Sequence, residues 1–242
     1  MKRLLELIER EEKRDGTEVI NGYYGKRLKN TKYRKLLSII KGEATFINIF
    51  NEVFNGLYEE QIDELEGKYN NFNHCNVKFP EWYMSFLKEH NGFDIYSGAL
   101  IIYGDDLVNN RLPGAEASDP LDFGPESAIF TGEAFYDKKL QERWLFLGRY
   151  NYDGTSMAWD FKLNKLVIME PDPNAKFITK KQWMSVTEEK VEKRIIGDYP
   201  SFIEYVESEI ERIENIFNNS LDDDIRTFHR KCLPSYCKNH LD

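Results

Sequence analysis

The spacing of apolar residues changes along this chain, and the change divides it into regions. Leu4, Leu5, Leu7 and Ile8, with charges between and after them, predict a short amphipathic helix ending near Asp15-Gly16. The stretch from Tyr24 to Lys41 is basic and gathers Leu36, Leu37, Ile39 and Ile40 on one face. It reads as a helix packed by an apolar stripe with its basic face in solvent. From Thr45 to Tyr69 the pattern is again helical, with Phe46, Ile49, Phe50, Val53 and Leu57 three and four apart. Ile62 and Leu65 continue it on a Glu-rich run.

The segment Phe79-Pro80-Glu81-Trp82-Tyr83-Met84-Ser85-Phe86-Leu87-Lys88-Glu89-His90-Asn91-Gly92 is the clearest local signal. Pro80 suits the first turn of a helix, where its missing N–H loses no partner. Trp82, Tyr83, Phe86 and Leu87 share a face at helical spacing. Asn91-Gly92 offers the left-handed residue that closes a helix.

After this helix the period shortens. Ala99 to Tyr103 is a continuous apolar run stopped by Gly104, and so predicts a buried strand. Residues 105 to 137 are rich in Pro, Gly and acid, and read as a long loop or insertion. Trp144 to Tyr150, Met157 to Phe161 and Leu166 to Met169 are three short strands joined by Asp153-Gly154 and Leu163-Asn164-Lys165 turns. That order predicts an antiparallel meander. A last helix begins near Pro200-Ser201 and runs through Phe202, Val206, Ile210 and Ile213 toward Phe217. The expected fold is α+β, an antiparallel meander flanked by helices, with an extra N-terminal helical segment. The expected division is an extension over 1–56, a domain over 57–217 and a tail over 218–242.

Composition supports a packed protein, since 41 % of the 242 residues are hydrophobic and 14 % aromatic. No run approaches the roughly 20 apolar residues that span a bilayer, and the N-terminal apolar run is too soon broken by charge for a secretory signal. A cytoplasmic protein that does not engage membranes is the expectation. Cys75, Cys232 and Cys237 are too few for a disulfide framework. The formal charge is −9, which disfavours direct nucleic-acid binding. Residues 1–41 hold 12 Lys/Arg and 6 Asp/Glu, a balance of +6, and this leaves −15 on the rest of the chain. Such a body attracts a basic partner.

The order of these segments resembles the SUKH superfamily, the Smi/Knr cell-wall-regulator-like proteins. The resemblance runs from Ile62-Asp63-Glu64-Leu65-Glu66 through the helix ending in Asn91-Gly92 to the strand Leu100-Ile101-Ile102-Tyr103-Gly104. It continues with Phe146-Leu147-Gly148, Asp153-Gly154, Trp159-Asp160 and Leu166-Val167-Ile168-Met169, and closes on Tyr199-Pro200-Ser201-Phe202-Ile203-Glu204-Tyr205-Val206. It covers about residues 57 to 212. Bacterial members are largely immunity proteins, so the resemblance implies a non-catalytic binder that neutralises a toxin domain of a polymorphic or contact-dependent system. The eukaryotic relatives imply a second possibility, a regulatory protein-interaction scaffold. The family supplies no catalytic residues and no cofactor.

The candidate partner-binding residues are Asp105, Asp106, Glu116, Asp119, Asp122 and Glu126 in the acidic connection, with Tyr150, Tyr152 and Asp153 at the turn. Eight acids against the single base Arg111 between Asp105 and Asp137 suit a surface that steers a cationic partner, although a merely solvated loop has the same composition. Tyr150, Tyr152 and Asp153 are expected to be exposed, whereas Trp82, Tyr83, Trp144 and Trp159 are expected in the core. His229, Cys232, Cys237 and His240 are a weak metal candidate, spaced as in no common zinc module. An unstructured tail, or an edge packed by Cys232 and Leu233, is the simpler expectation, and no metal or other cofactor is assigned. His74-Cys75 would need facing side chains and an orienting third group to act as a nucleophile pair, which adjacent residues seldom provide.

Overall fold

The structure is a computed structural model that describes residues 2–3, 6, 17–19, 26–29, 36–40, 43–47, 50–73, 75–96, 98–104, 138–150, 152–171, 187–220 and 223–234. Eleven strands are assigned among them: β1 Thr17–Val19, β2 Lys26–Lys29, β3 Leu36–Ile40, β4 Glu43–Ile47, β5 Phe50–Asn55, β6 His90–Ile95, β7 Leu100–Ile102, β8 Trp144–Arg149, β9 Ser156–Asp160, β10 Lys165–Met169 and β11 Ile195–Tyr199. The helices are α1 Glu59–Asn73, α2 Glu81–Glu89, α3 Lys138–Arg143, α4 Glu188–Glu192, α5 Phe202–Asn218 and α6 Ile225–Cys232. Lys2, Arg3 and Glu6 are also helical. No helix of the described residues is long and apolar enough to cross a membrane.

The fold is α+β, as the sequence pattern predicts. Nine strands of the described residues form one antiparallel sheet in the order β1-β2-β5-β6-β7-β8-β9-β10-β11, while β3 and β4 pair separately. The expected meander is its β8-β9-β10 section, with Leu145 opposite Trp159 and Leu166 opposite Trp159 on the far side. Strand side chains alternate between faces, so each strand feeds two layers. Phe93, Leu145, Leu147, Met157, Trp159, Leu166 and Ile168 enter the main core with α1, α2, α5 and α6. Trp144, Phe146, Ala158, Val167 and Met169 enter a second core with Leu140 of α3 and Val191 of α4. Burial on both faces explains why these strands are nearly continuous apolar runs and show little alternation.

The helices form as their end signals suggest. Gln61 Oε1 accepts the backbone N–H of Tyr58 at 2.9 Å, half of a capping box ahead of α1, and Glu59 and Glu60 suit the positive helix end. Ile62, Leu65 and Tyr69 then point to the core. Ser201 caps α5 by accepting from Glu204 N at 3.3 Å, and Asp224 caps α6 by accepting from Thr227 N at 2.7 Å. Pro80 stands just before α2, as its cap residue and not within the first turn.

Several expectations need correction. The helices read over Tyr24–Lys41 and the first part of Thr45–Tyr69 are replaced by β2, β3, β4 and β5. The three-and-four spacing there is short enough to fit either period. The β-branched and aromatic content (Ile39, Ile40, Thr45, Phe46, Ile47, Phe50, Val53) is the cue that favours strands. β5 then pairs with β6, so the sheet runs across the boundary placed at 56/57. Asn91-Gly92 does not close α2. His90 is already extended, and Gly92 takes its positive φ of 78° inside β6.

Candidate functional site

The six acidic candidates Asp105, Asp106, Glu116, Asp119, Asp122 and Glu126 lie outside the described residues, as do Cys237, His240 and His74. The turn candidates separate. Tyr152 and Asp153 are half-buried, and Asp153 Oδ1 accepts the N–H of Thr155 at 2.8 Å, which shapes the turn with Gly154 at φ 85°. Tyr150 is 1 % exposed, so the expectation of an exposed docking tyrosine is corrected. It follows β8 with its ring in the main core: Trp144 and Phe146 face the second core, and the irregularity between Phe146 and Gly148 shifts the alternation so that Tyr150 falls on the face that α5 covers.

Tyr150 belongs to a buried polar chain. Its hydroxyl lies 2.6 Å from that of Tyr205 and donates to Glu209 Oε2. Arg212 closes the chain with Nη2 at 2.6 Å and Nε at 2.8 Å from the two oxygens of Glu209. Burial first, and the Glu209 charge second, push the Tyr150 phenol well above its ordinary range. Burial works against the Arg212 charge, but the Glu209 contacts more than offset it and hold the guanidinium protonated. The arrangement ties β8 to α5.

A second polar cluster closes the other sheet face. Asp160 accepts from Arg143 Nη2 at 2.8 Å, Trp144 Nε1 at 3.0 Å, and the backbone N–H groups of Lys162 and Leu163. Arg143 continues to Glu192 at 2.6 Å and to Glu188, so α3, β9 and α4 share one cation. Hydrogen bonding from Lys162, with Arg143 nearby, holds the Glu188 carboxyl below its ordinary range. Both clusters join elements and face inward.

His229 and Cys232 lie one turn apart on α6. His229 Nε2 is 3.3 Å from the Tyr96 carbonyl and Cys232 is buried, so the expected edge packed by Cys232 and Leu233 is what forms. Among the described residues no group of three or more His, Cys, Asp or Glu is arranged to hold a metal ion. The core aromatics are where the pattern predicts them: Tyr83 and Trp144 are buried, and half-buried Trp82 stacks on Phe202 and meets Trp159, each at 4.9 Å.

An open concavity of the described surface is a groove of about 250 Å³ between α1 and α2, lined by Glu59, Ile62, Asp63, Glu81, Met84, Ser85 and Lys88. Buried Ile62 and half-buried Met84 supply its apolar part, and carboxylates dominate its rim. Tyr58, 77 % exposed, stands one residue before Glu59. The two helices appear in the sequence as core-forming elements. Their outward residues could have been found by asking which positions remain once Leu65, Tyr69, Tyr83, Phe86 and Leu87 are turned inward.

No family model, curated protein or solved structure matches this chain.

Proposed function

We propose that this chain is a SUKH-like immunity protein, a non-catalytic cytoplasmic binder that neutralises a basic toxin domain of a bacterial polymorphic or contact-dependent system. The observation that carries the reading is the order of segments from the Glu-rich run at Ile62–Glu66 to Tyr199–Val206. The α+β fold with its β8-β9-β10 meander and flanking helices supports it. The −15 charge outside residues 1–41 supports a cationic partner, and a nuclease is the toxin class whose substrate demands such a surface. Complementary charge would speed encounter, and buried anchors would hold the complex.

The test uses the coding region upstream of this gene. If it encodes a large secreted protein, the C-terminal domain of that protein is expressed in bacteria with and without this chain. Rescue of survival together with a copurifying complex is expected. Killing that this chain does not relieve, or a harmless neighbour, would overturn the reading.

A regulatory scaffold of the Smi/Knr type is the second reading, and one contact favours it. The basic N-terminus rests on α5, with Arg3 Nη2 3.0 Å from Glu211 Oε2. Because β1, β2 and β5 belong to the sheet, deleting residues 1–56 would remove strands as well as this contact. The variant Lys2→Glu/Arg3→Glu separates the readings cleanly. An immunity protein keeps its rescue, whereas a scaffold that docks through this end loses a partner.

A further inference from the structure

We infer that the groove between α1 and α2 seats one arginine or lysine side chain of the basic partner, its stem on Ile62 and Met84 and its head between Asp63 and Glu81. The inference rests on the proposed binding function and names where one contact is made. About 250 Å³ is below the usual size of a metabolite pocket and suits a side chain. An apolar floor under a charged mouth matches the two parts of a long cationic side chain, whose methylenes bury while the head stays at the surface. Met84 is unbranched and adapts to the shape of what covers it.

The carboxylates of the region are not equivalent. Glu59 has Lys88 at 3.3 Å, Glu64 has Lys68 at 3.0 Å and Glu66 has Lys78 at 2.6 Å. Asp63 and Glu81 line the same groove, and neither makes a hydrogen bond or ion pair among the described residues; Lys88 in the same lining is engaged by Glu59, and Lys78, which Asp63 reaches only through space, is held by Glu66. A cation from outside completes the pattern, and arginine does so best because its planar fork matches carboxylate geometry. Tyr58 beside the mouth is an exposed aromatic of the kind that anchors interfaces.

The chain has five methionines, so methyl-labelled protein gives a readable spectrum in which Met84 reports the groove while buried Met157 and Met169 serve as internal references. Titration with hexa-arginine is expected to shift the Met84 methyl signal and leave those of Met157 and Met169 unmoved. Asp63→Asn/Glu81→Gln should weaken this response about tenfold, the scale of two exposed ion pairs. Glu189→Lys/Asp198→Lys, which alters exposed acids on α4 and β11, should not. A Met84 signal that hexa-arginine leaves in place, or that Asp63→Asn/Glu81→Gln leaves equally responsive, overturns the groove. In the survival assay Asp63→Lys/Glu81→Lys should lose protection. If the wild type protects and this variant protects equally, the groove inference fails while the immunity reading stands. If the wild type does not protect, the immunity reading fails and the Met84 titration decides the groove by itself.

Discussion

Arg143 and Asp160 meet where α3 turns into β8 and β9 ends, Nη2 2.8 Å from Oδ2, with the arginine 7 % and the carboxylate 0 % exposed. Such a pair is held by geometry as much as by charge, because two desolvated ions repay their burial only when every remaining donor and acceptor is used. Here they are: Asp160 also takes Trp144 Nε1 and two backbone N–H groups, and Arg143 also takes Glu188 and Glu192. Removing one partner leaves the other buried and short of contacts, so Asp160→Ala should cost about 3–5 kcal/mol. Glu188→Gln, on the solvent side of the same cation, should cost far less, because solvent screens an exposed ion pair. Urea denaturation of both variants checks this, and equal costs would show that the cluster does not work as described.

Gly148 stands at the irregularity of β8, opposite Met157 and Ile102. A Cβ there would lie 2.3 Å from the Ile101 carbonyl oxygen, a backbone atom of the neighbouring strand. The strands must part to admit it, so Gly148→Ala should destabilise by about 1–3 kcal/mol or more. Gly67 offers the opposite case in the same chain. It is exposed within α1 with nothing within 4 Å of its would-be Cβ, so Gly67→Ala should stabilise by about 0.5–1 kcal/mol through helix propensity. Thermal melts of the two variants should move in opposite directions.

The central strands and α5 were legible because both signals agree there: apolar runs of strand length between turn residues, and a seventeen-residue stripe led by Ser201. β3 to β5 were not, because over five or six residues a three-and-four spacing and an alternation cannot be told apart, and only pairing decides. β6 was hidden by Gly92. That glycine looks like a helix stop, yet the chain passes directly from Glu89 into the strand and spends the positive φ there. The burial of Tyr150 is not legible in the sequence because proximity to a turn says nothing about which sheet face a residue takes. The groove was illegible for a related reason. Asp63 and Glu81 are 18 positions apart, and what distinguishes them from Glu59, Glu64 and Glu66 is that no lysine among the described residues comes within ion-pair distance of them, although Lys88 lines the same groove and Asp63 lies within electrostatic reach of Lys78.

The hydroxyl of Tyr150 donates to a buried, charged acceptor, a class of hydrogen bond worth about 1.5–3 kcal/mol. Tyr150→Phe should lose that amount, since Glu209 would keep Arg212 but be left with an unfilled lone pair. Arg212→Ala should cost more, about 3–5 kcal/mol, because it strands the carboxylate without a cation. The two effects should also be coupled, as the residues share Glu209. In the double variant the second loss should differ from its value alone, which a double-mutant cycle in urea measures. Additive losses would mean that Tyr150 and Arg212 act on α5 independently.

His90 begins β6 behind α2, with its Nε2 atom buried and without a hydrogen-bond partner among the described residues. Burial holds its pKa below the ordinary 6.5, and the nearby Glu89 charge opposes this to a lesser degree. The folded protein therefore keeps the imidazole neutral at pH values where the unfolded chain takes up a proton. Stability from this source is full above pH 6.5 and is lost as pH falls from there toward the depressed folded value, because the unfolded state binds more protons throughout that window. The carboxylates whose pKa values are lowered, Glu188 and Asp224, act at lower pH, below their ordinary values of 4.5 and 3.8. A fall in the urea midpoint between about pH 7 and pH 5.5 should thus be smaller in His90→Gln than in the parent protein. Gln keeps a polar side chain of similar reach but cannot titrate, so any overall loss of stability from the substitution shifts both pH values alike and leaves the slope as the readout. Identical slopes in the two proteins would place the pH sensitivity on other groups and mean that His90 takes up its proton alike in the folded and unfolded states.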